Sequence, residues 1–149
     1  MIRMWPQTYK ELIAFPSHCS IDAEKIISEE NASKHVAINI SKSRVRQIKV
    51  DGDVLKRNDT SDIRVDYLVL NESKKIAYLI ELKGRNIKHA FEQLENTDLK
   101  LQTALNNCQV FWRVVYSSRT LNIRSNKIKK YLTNHPQLRI KNHIMRENI

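Results

Sequence analysis

Residues 63–83 read IRVDYLVLNESKKIAYLIELK, running from Ile63 to Lys83. Segments 63–70 and 76–83 are nearly continuous apolar runs, the pattern of central strands covered on both faces. Glu72 to Lys75 between them make a four-residue hairpin loop. That loop sets Asn71 opposite Ile76, Leu70 opposite Ala77, Leu68 opposite Leu79 and Asp66 opposite Glu81. Directly opposed residues share a face, with Cβ atoms about 5 Å apart. Side chains alternate along a strand, so Lys83 lies on the face of Glu81 while Leu82 points away. Two carboxylates and one ammonium are expected on one patch.

Ionised groups on buried strands are costly unless paired or bound to metal, so these three need a physical reason. Two facing carboxylates repel unless a cation lies between them. Oxygen ligands select a hard ion, and Mg²⁺ (or Mn²⁺) suits one or two carboxylates while keeping waters. A metal-bound water beside Lys83 is then an expected nucleophile for a phosphodiester, with ion and ammonium stabilising the added negative charge.

Working outward, the pattern predicts a helix over 21–33 after Ser20, with Ala23, Ile26 and Ile27 as its apolar stripe. Val36, Ile38 and Ile40 alternate as in a strand. Segment 45–50 is a second extended run, and residues 50–54 (VDGDV) read as a tight turn. A helix is predicted over 87–106, where Ile87, Ala90, Phe91, Leu94, Leu101 and Leu105 fit a 3.6 period. Segment 110–116 (VFWRVVY) reads as a buried strand, 125–133 as a lysine-rich helix and 138–144 as an edge strand. The fold class is α/β, a mixed central sheet flanked by helices.

The chain has 149 residues, which suits a single domain (1–149). Apolar residues at 41% and charged residues at 28% exclude disordered and membrane-spanning classes, and only two glycines and three prolines exclude fibrous ones. Cys19 and Cys108 form no CxxC pair, so a disulfide framework or a Cys-ligated zinc site is not expected, and a reducing cytoplasm is. The opening Met-Ile-Arg-Met-Trp-Pro-Gln leads to the expectation that there is no signal peptide. The net charge is +10 and the pI about 9.8. From residue 117 onward eight basic residues stand against one acid, Glu147. Such a basic C-terminal segment attracts phosphate polyanions and releases counterions on binding. A merely solvated basic face has the same composition.

Val65-Asp66, fourteen intervening residues, then Glu81-Leu82-Lys83-Gly84 resembles the signature of the PD-(D/E)xK nuclease superfamily. Ala90 and Gln93-Leu94 are similar to the helix residues that come after the motif in many members. The resemblance spans about 21–116 and implies a restriction endonuclease-like αβββαβ core. It implies that Asp66, Glu81 and the Leu82 carbonyl ligate a divalent ion, and that Lys83 positions the water. Val65 stands where the motif has proline, a variable position. The activity implied is that of a Mg²⁺-dependent endonuclease acting on DNA, with a homodimer expected for cutting two strands.

Members often add an acid from the first helix. Glu30 falls on the stripe with Ala23, Ile26 and Ile27, with Glu24 and Glu29 as flanking alternatives. Gln93 reaches toward the patch or a phosphate, or is an exposed helix glutamine. Arg85, Lys88, Arg119, Arg124, Lys127 and Lys130 are expected phosphate contacts, and solvated charges would have the same sequence. The five histidines lack metal-ligand spacing, so zinc is not expected. Trp112 and Phe111 read as core, and Cys108 as a small apolar residue. The competing readings are a non-catalytic nucleic-acid-binding or protein-interaction module on the same fold, and a basic adaptor of unrelated α/β fold. DNA and RNA are not distinguished.

Overall fold

The computed structural model describes residues 5–20, 24–60, 62–83, 85–118 and 124–149. The elements in chain order are α1 (Tyr9–Ile13), β1 (Ser17–Ser20), β2 (Lys25–Glu30), β3 (Ser33–Ile38), β4 (Val45–Lys49), β5 (Tyr67–Asn71) and β6 (Ile76–Lys83). Next come α2 (Ile87–Leu101), β7 (Gln109–Tyr116), α3 (Asn126–Asn134), β8 (Leu138–Asn142) and β9 (Ile144–Asn148). This is an α/β fold with two mixed sheets. The larger has the order β1-β4-β5-β6-β7-β8 and the smaller β2-β3-β9.

The β5–β6 hairpin carries the expected register, with Asn71 opposite Ile76, Leu70 opposite Ala77 and Leu68 opposite Leu79. Both strands are buried along nearly their whole length, because each face of the large sheet is covered. On one face Leu68, Leu70, Ala77, Leu79 and Trp112 pack against Ala90, Phe91, Leu94 and Leu101 of α2. On the other, Val69, Tyr78, Ile80, Leu82 and Val115 pack against Ile26, Ala37 and Met145 of the small sheet. Each large side chain so buried contributes about 1.5–3 kcal/mol. Helices therefore cover one face and the three-stranded sheet covers the other.

That second layer corrects the reading of 21–33 as a helix. Residues 21–23 lie outside those described, and beyond them the chain forms the strand β2, joined to β3 by Asn31 and Ala32. Both of these have positive φ (54° and 61°), as a two-residue hairpin turn of the mirror-image type demands. Ile26 and Ser28 point inward while Ile27 is 49% exposed, a period of two rather than a helical stripe. Asn31-Ala32 lacks the glycine that marks such turns, so the signal was absent. Glu30 accordingly ends a strand.

Further along, α2 stops at Leu101 rather than at 106, and irregular turns lead into β7. Asn86, itself at φ 64°, caps α2 by accepting from the His89 N–H at 3.2 Å. Ser125 caps α3 in the same way through Ile128. The run predicted over 138–144 divides into β8, an edge strand of the large sheet, and β9, which crosses to the small sheet and pairs parallel with β3.

The end of the basic C-terminal segment is thus a structural strand. Glu147 on β9 accepts from Arg113 Nε at 2.7 Å and Nη2 at 3.0 Å, and meets His35 Nε2 at 2.7 Å. The Arg113 guanidinium lies over the rings of Tyr78 and Phe111. Burial alone would push the Glu147 carboxyl up, but the bonds and charges of His35 and Arg113 outweigh it and bring it down to about 2. A carboxyl held below its ordinary 4.5 stabilises the fold above that value and loses its contribution as pH falls toward 2.

Glu147→Gln leaves Arg113 buried without its counter-charge. The expected cost is about 3–5 kcal/mol, read from the urea midpoint at pH 7. The variant should also lose part of the wild-type stability change between pH 4.5 and 2.

Candidate active site

The chain immediately before β5 leaves the sheet, and α2 fastens it. Gln93 Nε2 donates to the Arg64 carbonyl (2.9 Å), Asn96 Nδ2 to the Ile63 carbonyl (2.7 Å), and the Val65 N–H donates to Thr97 Oγ1 (3.0 Å). These three side chains, at i, i+3 and i+4, present one polar face of α2 to a backbone that has no strand partner there. Arg64, 8% exposed, gathers the preceding loop through the Asp51 carboxylate and the carbonyls of Lys56, Asp59 and Asp62. Asp66 is held from both sides.

At that point Asp66 and Glu81 clasp each other's strand. The Asp66 N–H donates to Glu81 Oε1 at 3.1 Å, and the Leu82 N–H donates to Asp66 Oδ2 at 2.9 Å. Lys83 Nζ stands 3.1 Å from Glu81 Oε2. Asp66 is 8% exposed and Glu81 1%. The structure therefore brings Asp66, Glu81 and Lys83 together at one end of the hairpin.

Taking two carboxylates out of water makes both weak acids. For Asp66, burial is the main cause and the charges of Glu30 and Asp51 add to it. The Leu82 N–H and Lys83 oppose them, and the carboxyl is pushed up to about 7. Glu81 is raised well above its ordinary value by burial and then by Asp66, against Lys83. Lys83 is the one ammonium in contact with the pair among the described residues. Glu30 reaches this field from the end of β2, where it pairs with Arg57 Nη1 at 3.0 Å. Glu24 is exposed, and Glu29 is exposed 3.8 Å from Lys34, so neither joins the patch.

The donor set suits a hard dication in chemistry: two buried oxygen acids that a divalent charge would allow to ionise together. It is a lean set. The Leu82 carbonyl accepts from Asn31 Nδ2 at 3.0 Å, and both Glu81 oxygens already have donors. Among the described residues no cluster of three or more His, Cys, Asp or Glu has metal-holding geometry.

Gln93 spends its amide on Arg64, and its buried Oε1 has no partner among the described residues. It lines a groove of about 220 Å³ with Asp51, Arg57 and Arg64. Arg85 and Lys88 are exposed at the start of α2, and Arg124, Lys127 and Lys130 are exposed at or on α3. Arg119 lies outside the described residues. Trp112 is buried and donates to Asp98, as a core residue does. Sequence reading missed Asn31, Asp51, Asn96 and Thr97. Only the last two left a signal, as polar residues at helical spacing from Gln93 beside the apolar stripe. Among the described residues no helix is long and apolar enough to cross a membrane.

No protein-family model matches this chain, and neither the curated proteins nor the solved structures yield a match.

The raised Asp66 carboxyl favours folding most below its unfolded value of 3.8 and loses that contribution as pH rises through about 7. Asp66→Asn keeps an acceptor for the Leu82 N–H and removes one buried charge. In metal-free buffer at pH 8 it should raise stability by of order 1–3 kcal/mol, roughly 3–8 °C in Tm. At pH 4 the gain should vanish, which a pair of thermal melts will show.

Proposed function

We propose that this chain is a divalent-metal-dependent nuclease of the PD-(D/E)xK kind that hydrolyses DNA phosphodiester bonds in a reducing cytoplasm. The observation that carries the reading is the juxtaposition of two buried carboxylates, Asp66 and Glu81, with the Lys83 ammonium on Glu81. Burying two like charges side by side costs stability, and a site that tolerates this is a candidate for a function that needs them. The run β4–β5–β6–α2–β7 supports it, being three antiparallel strands, a helix and a parallel strand.

In this reading Asp66 and Glu81 hold the ion, with the Leu82 carbonyl joining them if Asn31 releases it. A bound Mg²⁺ or Mn²⁺ supplies Lewis-acid charge to the scissile phosphate. Lys83 positions the attacking water and stabilises the extra charge of the transition state. Asp66, once ionised, orients the Leu82 N–H and with it the strand end that carries Lys83. Glu30, paired with Arg57, adds negative potential at Asp66. Gln93 holds the backbone beneath Asp66 and acts as a positioning residue.

Strands β6, β7 and β8 run parallel, and the site lies at their carboxyl ends. The helices α2 and α3 begin after β6 and β7, so their N-terminal residues Arg85, Lys88, Arg124 and Lys127 belong to the same side of the molecule. They are proposed phosphate contacts, as are Lys130 and, outside the described residues, Arg119. Cutting both strands of a duplex calls for two such patches, hence a homodimer.

A specific observation favours a second reading, a non-catalytic DNA-binding module. Both Glu81 oxygens and the Leu82 carbonyl already have protein donors, so the patch is closed as an internal clasp. That reading expects salt-sensitive DNA binding without turnover.

The test is cleavage of plasmid and branched DNA in Mg²⁺. Wild type should cut, and Asp66→Ala and Lys83→Ala should each lose about 10²–10³ in rate. Cleavage that survives both substitutions removes the proposed roles, and salt-sensitive binding without cleavage selects the second reading.

A further inference from the structure

The turn joining β2 to β3 is fastened to the strand end that carries Lys83. Strand β5 pairs with β6 as far as Tyr67 opposite Ile80, and among the described residues no strand continues beside β6 on that side. The N–H and C=O of one strand residue lie on the same edge of the strand, so Leu82 turns both toward Asp66. Its N–H donates to Asp66 Oδ2 at 2.9 Å, and its carbonyl accepts from Asn31 Nδ2 at 3.0 Å. Both groups lack a ladder partner and are satisfied by side chains.

Two further bonds seat the turn. Ser33 Oγ donates to the Lys83 carbonyl at 3.2 Å, and Ser117 Oγ donates to the Asn31 carbonyl at 3.0 Å. On the other flank, Glu30 pairs with Arg57 at 3.0 Å. These contacts hold the turn in place whether or not the Asn31 amide stays on Leu82. Asn31 and Ala32 are exposed, so water replaces that one amide bond at small cost. An N–H group presents its positive end to the carbonyl, and a dication at the same oxygen meets that end with like charge. Amide and ion therefore compete.

We propose that Asn31 gates the cation site: closed, its amide occupies the Leu82 carbonyl; withdrawn, it frees that carbonyl as a third oxygen beside Asp66 and Glu81. The gate rests on the metal site of the proposed function and adds the side chain that sets how tightly the ion is held.

Mn²⁺ titrated calorimetrically into the metal-free full chain tests the gate. Asn31→Gly keeps the turn, since glycine adopts the positive φ of 54° without strain, and removes the donor. It should bind the ion about two- to tenfold more tightly than the wild type. Ala32→Gly loosens the same turn but leaves the amide, and should bind no more tightly than the wild type. In the ¹⁵N-labelled wild type, Mg²⁺ should move the Asn31 side-chain amide pair. Equal or weaker uptake by Asn31→Gly, equal tightening by Ala32→Gly, or an Asn31 amide that Mg²⁺ leaves in place overturns the gate, while wild-type uptake upholds the metal site. No uptake by the wild type and by Asn31→Gly alike overturns the metal site and the gate together.

Discussion

Two carboxylates taken out of water and set on neighbouring strands constrain everything around them. Asp66 and Glu81 meet because the β5–β6 register leaves them opposed, and they coexist because each accepts a backbone N–H from the other's strand. Lys83 offsets part of the charge and Asn31, Thr97 and Gln93 hold the surrounding backbone. Removing water from such a pair raises both acids, so the site stores a penalty that a cation relieves. The cost is tolerated by a sheet that packs mainly apolar side chains on both faces.

The supporting layers make that burial possible. Helix α2 supplies the apolar cover on one side and the polar ties to residues 63–65. On the other side β2, β3 and β9 replace the helix expected there, and β9 is the far end of the chain. Its attachment rests on Glu147, buried against Arg113 and His35, a charged contact inside a layer that otherwise packs by apolar side chains. The C-terminal segment thus has two parts: exposed basic residues on α3 and β8, and a strand of the small sheet whose buried acid locks it in place.

Much of this was legible in the sequence. The hairpin register followed from two apolar runs and a four-residue loop, because a period of two admits no other facing. Helix α2 followed from its 3.6-residue stripe, and β7 from an apolar run. The hidden features share a cause: they depend on partners distant in the chain. Lys25–Glu30 has apolar residues at spacings that fit a short helix as well as a strand, and only pairing with Ser33–Ile38 decides between them. Asn31 is exposed in its turn, so nothing local marks it as the donor to Leu82. Glu147 reads as a lone acid in a basic tail until Arg113, 34 residues earlier, is placed beside it.

The proposed chemistry requires that the Asp66–Glu81 pair grip a divalent cation. Calorimetric titration of Mn²⁺ or Mg²⁺ into the metal-free chain tests it without any substrate. One ion should be taken up per chain, and the uptake should disappear in Asp66→Asn and in Glu81→Gln. No uptake by the wild type, or undiminished uptake by both variants, would contradict it.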